Sequence, residues 1–367
     1  MTFFKDLDRF FYEAWGVRDC SGAAMVKARE LWLRLMYGDS ILKIPSTIIN
    51  KLHRAVNAEY RVETGSDLAH YCANVSNAML LLAMECGEVL TFPDEEIENA
   101  WGILTRDNVG IFSRDSRGEP TDLGFMACQK WEGREHLKLL QRRTRDADGR
   151  LHIVNRLFSS RSERDLGREI PVSARFPEVA PQFVYDGVPG LGMVRMAMPL
   201  PNCVDGSREA VSIFAPAARL IQLAEENEGQ LCREFENGRS RLVVSRDLLR
   251  DGQLQDDLFV GLDEDPQVVG ITVFSPELRQ ESYLQRQQSY LRSIENAVGL
   301  RRGLLSQVDT VQRTATEITT SEGEYLATVL MLRRLCEQAA RDMVALRCNL
   351  EGCEVPEITI SWGDNVI

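Results

Sequence analysis

The chain has 367 residues, 44% of them apolar and 27% charged, which is long and apolar enough for two or three globular domains with ample core. Its formal charge of −12 excludes a protein that clamps nucleic acid over its whole surface, because phosphate binding needs clustered Lys and Arg; it does not exclude one that lets DNA pass without sticking. The longest apolar run, AMLLLAM at 78–84, is far too short to span a bilayer, and the acids of MTFFKDLDRF argue against a secretion signal.

In chain order, 21–39 (SGAAMVKARELWLRLMYGD) carries Met25, Ala28, Leu31 and Leu35 at helical spacing, with Ser21 as the start signal and Gly38 as the stop. A second helix is predicted over 67–88, between Asp67 and Gly87. From Val89 to Phe158 the period shortens to that of strands, and HLKLLQRRT and LHIVNRLFSS flank a hairpin turn at Asp148-Gly149. Segment 159–207 is rich in Pro and Gly and reads as irregular. The 208–238 stretch is predicted helical, with Gly238 as its stop and Pro216 either beginning or bending it. Short strands RLVVSR and GITVFS bracket an acidic run at 251–265. A further helix is predicted over 275–299, with Ser275 as N-cap and Pro276 at the first helical position. The longest helix covers about 316–347. Its stripe Tyr325, Val329, Leu332, Cys336, Ala339, Met343, Leu346 steps by four and three, keeping one face apolar. EITISWGDNVI closes the chain as an alternating strand.

Few motifs point to catalysis. Gly187, Gly190 and Gly192 are in the wrong order for a dinucleotide loop and no GK[ST] follows, so the chain is not expected to hydrolyse nucleotide by itself. His136 and His152 lie on opposite arms of the predicted hairpin and could be neighbours, with ordinary packing favoured over metal binding. Nine cysteines without a CxxC pair imply reduced thiols rather than a zinc site or a disulfide framework. No cofactor and no metal are expected. Asp251, Asp256, Asp257, Asp263, Glu264 and Asp265 could bind magnesium in a nuclease, but no Lys or His accompanies them, and a solvated or partner-facing surface is the favoured reading. The 300–314 loop is locally basic, with Arg301, Arg302 and Arg313 against Asp309. Ser306, Gln307, Thr310 and Gln312 could hydrogen-bond phosphate oxygens without sequence preference, although a plain polar connection between helices would look the same.

Six segments, FSRDSRGEPTDLGF, HIVNRLF, LGREIPVS, MPLPNCVDGSREAVSIFAPAARLI, FSPELRQESYL and GLRRGLLSQVDTVQRTATEI, occur in this order from Phe112 onward. Together they resemble the portal proteins of tailed bacteriophages, specifically the SPP1-like branch. The resemblance implies an α+β portal fold in a dodecameric ring around a DNA channel. Residues 1–207, with 351–367 returning to them, would form the outer wing. Segments 208–238 and 275–299 would be stem helices, and 239–274 the clip that docks the terminase and later the head-completion adaptor. The 300–314 loop would face DNA as the tunnel loop, ahead of a long helix at 315–350. Other implied partners are the major capsid or scaffold protein and non-specifically bound double-stranded DNA, with no membrane. The location would be the portal vertex of the virion, and host cytoplasm during assembly. Family members carry a helical crown after the terminal strand; here it is absent or truncated. The alternatives are a metal-dependent DNA-processing enzyme acting near Asp256, and a ring adaptor or minor capsid protein that makes no DNA contact.

Overall fold

The computed structural model describes residues 3–93, 101–238, 241–245, 259–262, 271–274, 279–307 and 315–363. Helices α1 (Phe3–Trp15), α2 (Ala23–Tyr37) and α3 (Ile44–Val56) precede strand β1 (Arg61–Glu63) and helix α4 (Asp67–Cys86). Strands β2 (Glu88–Pro93), β3 (Trp101–Thr105), β4 (Val109–Arg114), β5 (Pro120–Glu132), β6 (Glu135–Arg145), β7 (Leu151–Ser160), β8 (Arg168–Ile170), β9 (Gln182–Tyr185) and β10 (Val194–Ala197) follow. The chain continues through α5 (Ala218–Asn237), β11 (Arg241–Ser245), β12 (Phe259–Leu262), β13 (Ile271–Phe274), α6 (Gln280–Val298), α7 (Ala315–Glu351) and β14 (Thr359–Ser361). The class is α+β, in two units: Met1–Ala218 with Val298–Arg301 and Arg313–Ile367, and Arg219–Ala297 with Arg302–Gln312.

The largest sheet of the first unit has the order β4-β5-β6-β7-β8, antiparallel throughout, with β9 on the other end of β7. The Asp148-Gly149 turn forms as expected, with Gly149 at φ +81° and Asp146 Oδ1 accepting the amides of Asp148 and Arg150. The run from His136 to Leu140 is buried at every residue, because both faces of the sheet are covered. Leu140 and Phe158 pack against Leu7, Phe10 and Phe11 of α1, while Leu137, Leu139 and Leu157 pack on Val172. The amphipathic α1 reaches the sheet closely only because Gly110 lacks a side chain: a Cβ there would sit 2.7 Å from the Phe11 ring.

Helix α4 occupies the predicted span, but its cap is Ser66 rather than the expected Asp67: Ser66 Oγ accepts from the amide of Ala69, and the helix ends at Gly87, whose φ is +93°. Its apolar face, including Met79, Leu80 and Ala83, packs on α7. The predicted stripe on α7 is buried from Val329 to Leu346, with Tyr325 half-buried at its head. Arg333 reaches across from α7 to the carbonyls of Ala55, Val56 and Ala58, where the last turn of α3 leaves acceptors without helical partners. The closing strand β14 pairs antiparallel with β1.

Two start signals are displaced by tertiary contacts. Helix α2 begins after Gly22, without a side-chain cap; Ser21 Oγ instead donates to Glu209 Oε1 at 3.0 Å. Residues 208–214, predicted as the start of a helix, run over the end of α4. There the Ile213 amide and Ser212 hydroxyl donate to the exposed-end carbonyl of Met84, at 3.0 and 2.9 Å. Of the two readings of Pro216, a start and a bend, the start holds: Pro216 falls in a 3-10 turn (Ala215–Ala217), and α5 begins directly after it.

Glu209 also joins a buried knot of charge. Arg106 lies 2.9 Å from Asp19, 3.1 Å from Glu88 and 3.3 Å from Glu209, and Arg29 pairs with Glu209 at 2.5 Å. Arg114 and Arg195 close around Glu88. Burial alone would raise the Glu88 pKa, but Arg114, Arg106 and Arg195 outweigh it and hold the group at about 2. Asp19 is treated alike: desolvation is outweighed by Arg106, the Ser21 hydroxyl and Arg29, leaving it at about 2. This knot ties α2, β2, β4, β10 and the 208–214 segment together.

The second unit has two long helices and a three-stranded sheet of order β12-β11-β13. In it β11 is parallel to β12 and antiparallel to β13. The strands β11 and β13 were expected; β12 lies inside the acidic run and was not. Ser275 and Pro276 lie outside the described residues. No helix among the described residues is long and apolar enough to cross a membrane.

Candidate functional site

The opening of the basic loop, up to Gln307, stands out because its backbone is tied down by the helix before it. On α6 the inward face carries Leu291, Ile294 and Val298 at helical spacing, and Glu295 sits among them with no exposed surface. Its carboxylate finds its partners in the segment that follows the helix. Oε1 accepts the amides of Gly303, Leu305 and Ser306 at 3.1, 2.5 and 2.9 Å, and Oε2 accepts the Ser306 hydroxyl at 2.8 Å. Two turns earlier on the same helix, Gln288 Oε1 accepts the amide of Gln307 at 2.7 Å. Gly303 has φ +90°, a conformation that L side chains rarely adopt, and this turn aims the three amides at one oxygen.

The loop residues expected to face DNA therefore divide. Arg302 is exposed and Arg301 partly so. Arg301 lies 3.9 Å from Glu322 at the surface, a pairing worth at most about 1 kcal/mol. The Gln307 side chain is exposed. Ser306 is a correction: it is buried, and both its hydroxyl and its amide are consumed by Glu295, so it offers nothing outward. Polar character had suggested an outward role, but here it serves an internal anion. Thr310, Gln312 and Arg313 lie outside the described residues, as do Asp251, Asp256, Asp257, Asp263, Glu264 and Asp265.

The two helices of this unit meet through polar contacts as well as apolar ones. Asn227 Nδ2 of α5 donates to the Gln287 side-chain oxygen at 2.9 Å and to the Tyr283 carbonyl at 3.1 Å, and both amide side chains are buried. At the far end Arg279 grips Glu234 through its backbone amide, Nε and Nη2. Helix α5 carries Glu225, Glu226, Glu228, Glu234 and Glu236 against Arg219 and Arg233, so it is an acidic element.

The other motifs resolve into structure. Gly187, Gly190 and Gly192 all have positive φ, but the loop turns its carbonyls to cations: Arg143 donates to Leu191 and Gly192, and Arg145 to Val188 and Gly190. A phosphate loop needs the reverse polarity, amides turned inward. His136 and His152 are not neighbours. Cross-strand register sets His136 opposite Ser160 and His152 opposite Thr144, at opposite ends of the hairpin. His136 packs on Trp131, and His152 bonds Asp146 at 2.9 Å. Sequence reasoning missed Glu295 itself. The available signal was a carboxylate on the apolar stripe of a helix, where an acid is retained only if something nearby satisfies it. No protein-family model matches the chain, and no characterised protein matches it at a significant level.

Proposed function

We propose that the chain is a portal subunit of a tailed phage or prophage. Copies close into a ring of about twelve at one capsid vertex, and DNA enters through the ring during packaging and leaves through it at infection. The ring is not an enzyme. The terminase docked on its clip supplies the energy, the head-completion adaptor later takes that place, and the capsid or scaffold protein surrounds the wing.

The observation that carries this reading is a loop whose opening residues are held by the helix before them and whose described arginines are exposed or partly so. Glu295 holds the segment from Gly303 to Ser306, while Arg301 and Arg302 remain accessible. Repeated around a ring, one or two cations per subunit give many weak phosphate contacts, each easily exchanged for the next as DNA advances. Acidic α5 disfavours adhesion of the duplex to the wall, over the roughly 8–10 Å that physiological salt allows. Replacing Arg301, Arg302 and Arg313 together by Ala is expected to impair packaging or DNA retention while ring assembly persists. Undiminished packaging in that variant would remove the loop from the DNA path.

A further inference from the structure

Several amides converging on one point form a concave cluster of N–H dipoles, the arrangement with which loops hold phosphate. The Gly303, Leu305 and Ser306 amides, joined by the Ser306 hydroxyl, make such a cluster, and its occupant is the carboxylate of Glu295. We infer that Glu295 is an internal anion that fills a phosphate-type site and so keeps these donors away from a passing polyanion. It is a positioning residue with an electrostatic consequence. With the amides consumed, DNA meets only guanidinium groups, whose attraction is long-ranged and screened by salt, and no directional amide–phosphate bond forms to arrest it. The usefulness of this to a sliding channel rests on the function proposed above; the anion chemistry does not.

The residue's burial supports this assignment over simple loop bracing. A fully buried carboxylate is retained only where its acceptor capacity is met, and among the described residues its hydrogen-bond donors come from the loop it precedes, eight to eleven residues on. Removing the carboxylate leaves converging donors with no partner, a state that favours uptake of any anion of suitable size.

The test compares the full chain with its Glu295→Ala, Glu295→Gln and Glu322→Gln variants. Amide exchange at Gly303, Leu305 and Ser306 is followed with and without millimolar inorganic phosphate, and binding of a short duplex is measured across a salt series. Glu295→Ala is expected to speed exchange at the three amides about tenfold or more, phosphate to restore protection, and the duplex to bind at least about threefold tighter. Glu295→Gln keeps the side-chain volume and is expected to show the same changes in smaller degree, which serves if the Ala variant fails to fold. Glu322→Gln removes an equal charge without releasing the amides, so exchange there stays at the wild-type rate. Unchanged exchange in Glu295→Ala overturns the inference, as does faster exchange that phosphate cannot reverse, because Glu295 would then only brace the loop. Equal tightening of the duplex by Glu322→Gln also overturns it, since net charge would explain the gain. Phosphate protection without tighter duplex binding would leave the anion site standing and count against the DNA-facing role.

Discussion

Arg106→Met is expected to destabilise the first unit severely, and the buried geometry sets the scale. Met fills a comparable volume but donates nothing. Glu88 keeps Arg114 and Arg195, and Glu209 keeps Arg29 at 2.5 Å. Asp19 keeps the amides of Ser21 and Ile111, each at 2.9 Å, but loses its close cation at 2.9 Å and is left with Arg29 at 3.8 Å, so it is the carboxylate whose charge is least compensated. Removing one partner from a buried ion pair costs about 3–5 kcal/mol. The wild-type pH dependence gives an independent scale. Glu88 falls from an ordinary 4.5 to about 2, and Asp19 from 3.8 to about 2, roughly 2–3 kcal/mol each at neutral pH, though the two share Arg106 and do not simply add. Both folded-state values are depressed. The stability they confer is therefore present above the ordinary values and is lost as pH falls from about 4.5 toward 2. In Arg106→Met this Asp19 takes up its proton at higher pH, so the gap between variant and wild type narrows in acid. Urea unfolding followed by circular dichroism, near pH 7 and again near pH 3, measures both effects. A variant within about 1 kcal/mol of wild type near pH 7 would refute the reasoning, as would a wild-type stability that stays flat between about pH 5 and pH 3.

Ser306→Ala removes one hydrogen bond to a charged acceptor and leaves three amides in place. It is expected to weaken the clasp by about 1.5–3 kcal/mol, seen as faster amide exchange at Leu305 and Ser306 with the global melting temperature nearly unchanged. Gly110→Ala drives a methyl to 2.7 Å from the Phe11 ring in a filled core and should cost about 1–3 kcal/mol; an unshifted thermal midpoint would show that α1 does not sit where described. Arg301→Ala breaks only a half-exposed contact with Glu322, so calorimetry should find a stability change below about 1 kcal/mol, separating any packaging defect from misfolding.

Much of the fold was legible in the sequence wherever local pattern and tertiary packing agree. The α7 stripe, the Gly87 stop of α4 and the Asp148-Gly149 hairpin each state their structure within a few residues, and each forms. Legibility failed where a distant group claimed a local signal. Ser21 looked like a helix cap but is bonded to Glu209, 188 residues away. Residues 208–214 have helical composition, but the carbonyl of Met84 takes the Ser212 hydroxyl and the Ile213 amide, and the helix does not start there. The hairpin was legible while its register was not, so His136 and His152 were brought together wrongly: their separation depends on turn length, not on sharing a hairpin. At the candidate site the basic residues announced themselves by charge, but Ser306 and Glu295 did not. A polar loop residue and a helical acid look solvent-facing one at a time, and only their pairing turns both inward.

The central claim is that copies of this chain close around DNA. Electron microscopy of the purified full chain, averaged down the symmetry axis, tests it most directly. The expected image is a closed ring of about twelve subunits with a central channel wide enough for a DNA duplex. A monomer or a twofold dimer that persists at high protein concentration would contradict it.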